Sequence, residues 1–96
     1  MNIEQMDAHI RELFESRWYG DHVLSSLENM KIQLNKTLTN QLDGYWSGHT
    51  AYFLAVDGGF LVDAKNTNGL KKHTTNLGTL FMKRHADAFL LKELSK

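Results

Sequence analysis

The sequence predicts one α+β domain, in which two N-terminal helices pack on a small antiparallel β-hairpin and a short C-terminal helix follows. Three observations carry that expectation. Apolar residues recur at helical spacing through the first 42 positions. Two apolar runs rich in aromatic residues then flank Asp57-Gly58-Gly59, a turn signal for a hairpin because glycine supplies the positive φ of tight turns. The last third opens on a polar segment and returns to helical spacing from Leu77.

In the first helix, Asn2 to about Arg17, the apolar positions are Ile3, Met6, Ile10, Leu13 and Phe14. This narrow stripe leaves the other positions polar. Trp18-Tyr19-Gly20 breaks the pattern, and Asp21 suits the N-cap of a second helix. That helix is expected from about His22 to Leu42 on Val23, Leu27, Met30, Leu34 and Leu38, with a weaker stretch at Lys31 to Thr39 where a strand is the lesser reading. The predicted hairpin pairs His49–Val56 with Phe60–Ala64. Lys65 to Asn76 reads as a loop, and a third helix spans Asn76 to His85, capped by Thr75 or Asn76. Residues 86–96 repeat apolar side chains at Phe89, Leu90, Leu91 and Leu94, compatible with a longer helix or a returning strand.

Ninety-six residues make one domain, 1–96, and one core. The 42% hydrophobic and 23% charged content is that of a folded globular chain. The start, MNIEQMDAHI, lacks the basic and apolar regions of a signal peptide, and no window approaches the ~20 apolar residues of a membrane span. With no cysteine to form disulfides, a soluble, cytoplasmic protein is expected. The absence of cysteine also excludes thiolate zinc sites, iron–sulfur ligation and cysteine nucleophiles.

The charge sums to zero but is laid out unevenly: residues 1–30 carry a balance of −4 and residues 61–96 one of +4. Folding of the two ends against each other would neutralise them. The competing use is a basic face of Lys65, Lys71, Lys72, Lys83 and Arg84 for an anionic partner, nucleic acid included. Nucleic acid is the less favoured partner because the chain has no net basic excess.

Two aromatic corners echo each other, Trp18-Tyr19-Gly20-Asp21-His22 and Tyr45-Trp46-Ser47-Gly48-His49. Brought together with Tyr52, the residues Trp18, Tyr19, His22, Tyr45, Trp46 and His49 would wall a ligand pocket, since tryptophan and tyrosine join a large apolar body to a polar tip. Kept apart, they cover the ends of the core. The five histidines include no pair three or four residues apart, so no metal site and no cofactor is expected. Gly-x-Ser-x-Gly, P-loop, dinucleotide-binding and HExxH patterns are absent, which argues against an enzyme.

The function that follows is that of a non-enzymatic interaction protein acting as a homo-oligomer, with Ile3, Met6, Ile10 and Leu13 as its expected seam. The alternatives are a small-molecule binder or small enzyme using the aromatic pocket, and a nucleic-acid accessory protein using the basic residues.

Overall fold

The computed structural model describes residues 2–63 and 72–94 and forms five helices among them. These are α1 (Ile3–Arg17), α2 (Asp21–Leu24), α3 (Leu27–Leu42), α4 (His49–Asp57) and α5 (Asn76–Leu94). The α+β expectation is therefore corrected to a mostly helical fold with no sheet among the described residues. The one β element among the described residues is an isolated antiparallel bridge between Leu61 and Thr74.

Helix α1 starts on a capping box. Asn2 Oδ1 accepts from the Gln5 backbone N–H at 2.8 Å, while the Asn2 N–H donates to Gln5 Oε1 at 3.1 Å. The expected second helix is two pieces. After the short α2, Ser26 adopts extended backbone and its Oγ accepts from the Asn29 N–H at 3.0 Å, so a new N-cap opens α3. Asn29 Nδ2 ties the corner by donating to the His22 carbonyl and to Ser25 Oγ. The stretch Lys31 to Thr39 lies within α3 and is helical.

The predicted first strand is α4, and its turn is a helix cap. The Gly59 N–H donates to the Val56 carbonyl at 3.0 Å and the Phe60 N–H to the Ala55 carbonyl at 2.9 Å, with Gly59 at φ 83°. This bond pair is a Schellman motif, which needs the same left-handed residue that a tight hairpin turn needs. The chain then leaves α4 along its own end instead of folding back as a strand. Of the predicted second strand, Phe60 and Leu61 are buried in the core and Val62 donates its N–H to His73. Ala64 and residues 65–71 of the loop predicted from Lys65 to Asn76 fall outside the described residues.

One core joins these pieces. Met6, Ile10 and Phe14 of α1 meet Met30, Leu34 and Leu38 of α3, with Tyr52, Leu54 and Ala55 of α4 closing the third side. Phe60 plugs the gap between His9 and Phe81, with ring centroids 5.6 and 5.8 Å away. Helix α5 begins at a cap in which Thr75 Oγ1 accepts from the Gly78 N–H at 3.0 Å. Its first half packs through Gly78 and Phe81. It continues to Leu94, so the short third helix expected to end at His85 is nine residues longer, and residues 86–94 of the tail are helix.

Candidate interaction surface on α3 and α5

Burial falls away along the inward stripe of α5. Phe81 is buried, His85 half-buried, and Ala88 and Lys92, which continue the same stripe at helical spacing, are exposed. The outward stripe changes character at mid-helix. It reads Asn76, Thr79 and Lys83 in the first half, then Leu90 and Leu94 in the second, with Asp87 between. Residues 86–94 are all exposed, and their large apolar side chains lie on several sides of the helix. Phe89, Leu90, Leu91 and Leu94 expose 61%, 58%, 66% and 79% of their surface, and Ile32 of α3 exposes 51%. A helix apolar on all sides is ordinarily buried, so this segment carries surface in excess of what the domain covers.

Beside it runs a groove of about 1010 Å³ between α3 and α5. Leu27, Ile32, Phe89 and Leu90 contribute most of its apolar lining, and Glu28, Lys31, Lys92 and Glu93 its charges. Lys92 Nζ donates to Glu28 Oε1 at 2.7 Å across the groove. That hydrogen bond lowers the Glu28 pKa and raises that of Lys92. Both side chains are well exposed, so the pair orients α5 on α3 more than it stabilises the fold. A smaller hollow of about 130 Å³ lies on the other flank of α5, where Ile3, Met6, Phe81 and Ala88 meet Lys31, Arg84 and His85. His85 sits between the two cavities with its ring stacked on Phe81 at 5.7 Å. Burial pushes its pKa below the ordinary imidazole value, and nearby Lys31 adds to the effect while Glu28 opposes it.

The residues singled out from sequence are distributed differently. Of the expected seam, Met6 and Ile10 are in the core, Leu13 packs against it and Ile3 is exposed. The aromatic residues form two separate corners. Trp18 packs inward on Phe14 with tilted rings 5.5 Å apart, Tyr19 is almost fully exposed and His22 is exposed beside it in α2. At the other corner Trp46 meets His49 at 5.4 Å and Tyr52 at 5.0 Å, and His49 stacks on Phe53 at 6.0 Å, with Tyr45 exposed alongside. The Tyr52 hydroxyl donates to Asp63 Oδ1 at 2.8 Å. This second set is an aromatic shelf on the α3–α4 corner.

Lys65 and Lys71 lie outside the described residues. Lys72 is buried, with its ammonium 6.0 Å from the centre of the Tyr52 ring; Lys83 is exposed on α5 and Arg84 lines the small hollow. Between the charged ends of the chain, the Glu28–Lys92 pair is one direct neutralising contact. Among the described residues, no group of three or more His, Asp or Glu side chains is placed to hold a metal ion, and no helix is long and apolar enough to cross a membrane.

Sequence reasoning did not single out Ile32, Phe89, Leu90, Leu91 and Leu94 as a surface. The available signal was the crowding of four large apolar residues into Phe89 to Leu94 without a one-sided periodicity. No family model, curated protein or solved structure matches this chain.

Proposed function

We propose that this protein is a small helical interaction module that associates with itself, and that the terminal third of α5 is its contact surface. The observation that supports this is the exposure of Phe89, Leu90, Leu91 and Leu94 on one ordered helix. Fully burying such a side chain is worth about 1.5–3 kcal/mol. Covering the exposed part of all four on each of two copies gives roughly 8–16 kcal/mol, on the scale of the entropic cost of association, about 4–15 kcal/mol. Self-association in the micromolar range, about −8 kcal/mol, is the expected strength once the polar rim contributes.

Sedimentation equilibrium between about 1 and 100 μM, a range spanning micromolar affinity, tests the reading. The wild type should exceed its 11.0 kDa monomer mass as concentration rises. Leu90→Glu with Leu94→Glu should weaken association at least tenfold, because each charge would have to be desolvated at the contact. A wild type that remains 11.0 kDa throughout overturns the proposal.

A further inference from the structure

We draw no further inference here: the strongest candidate, the hollow of about 130 Å³ where α1, α3 and α5 meet, carries none because Lys31 on its rim is already paired with Asp7 at 2.7 Å and nothing in the structure shows what fills it.

Discussion

Gly78 shows how one position can reverse an ordinary propensity. In a helix interior, glycine to alanine usually gains up to about 1 kcal/mol from backbone entropy. A Cβ at position 78, however, would lie 2.0 Å from the Phe60 carbonyl oxygen and 3.1 Å from Thr74 Cβ. The closest obstacle is backbone, which cannot rotate away, and forced overpacking costs about 1–3 kcal/mol. Gly78→Ala should therefore destabilise the protein by about 1–2 kcal/mol, read from the midpoint of urea unfolding. A stabilised variant would mean that α5 does not press on the Phe60 backbone. Phe60 occupies its place for a related reason: Gly59, at φ 83°, turns the chain so that the ring enters the core between His9 and Phe81.

Element boundaries depend on local hydrogen bonds that periodicity does not register. Val23, Leu27, Met30 and Leu34 keep helical spacing across Ser25-Ser26, which suggests a single helix. Ser26 nevertheless caps a new one, and the break re-aims α3 so that Met30, Leu34 and Leu38 face α1. Ser26→Ala should cost about 1 kcal/mol in thermal or chemical unfolding, while Ser26→Asp should retain most of the cap. Equal losses in the two variants would remove capping as the cause. Helix α4 illustrates the opposite error. Its run His49 to Val56 is short and apolar, and such a run has the same composition whether it is a strand or a buried helix. Burial of Ala51, Tyr52, Leu54 and Ala55, spaced by one, two and one, is a helical face.

At the scale of the molecule, α5 is the element that the core holds only in part. The protein extends 43 Å along one axis against 26 and 24 Å along the others, and α5 alone spans about 28 Å at 1.5 Å per residue. His85 stands where its packing gives way. The groups around it are Lys31 and Glu28 on α3, Asp7 of α1 bonded to Lys31 at 2.7 Å, and Arg84 and Lys92 on α5. Its folded pKa is lowered, so the unfolded chain binds more protons at this site. Stability from His85 is then fully present above the ordinary value of 6.5 and is lost as pH falls through the folded value. Unfolding midpoints should drop between about pH 7 and 5, the window of histidine titration, and His85→Gln should flatten part of that slope. An unchanged slope in the variant would remove His85 as the source of the acid sensitivity.

The sequence by itself determined the pieces that repeat over long windows or rest on local caps. The α1 stripe of Met6, Ile10 and Phe14, the α3 stripe, and a cap for α5 at Thr75 or Asn76, which the structure gives to Thr75, were legible because each depends on spacing within one segment. Only tertiary structure decided that Asp57-Gly58-Gly59 caps a helix, because hairpin turns and Schellman caps both place glycine at positive φ. It also decided which apolar stripe is core and which is surface. Ile3 to Leu13 and Phe89 to Leu94 each carry four large apolar side chains in sequence, yet Met6 and Ile10 meet α3 inside the domain, whereas α5 outruns the body that would cover its end. Hydrophobicity fixes how strongly a segment seeks cover; where the neighbouring helices stop determines whether its own chain supplies it.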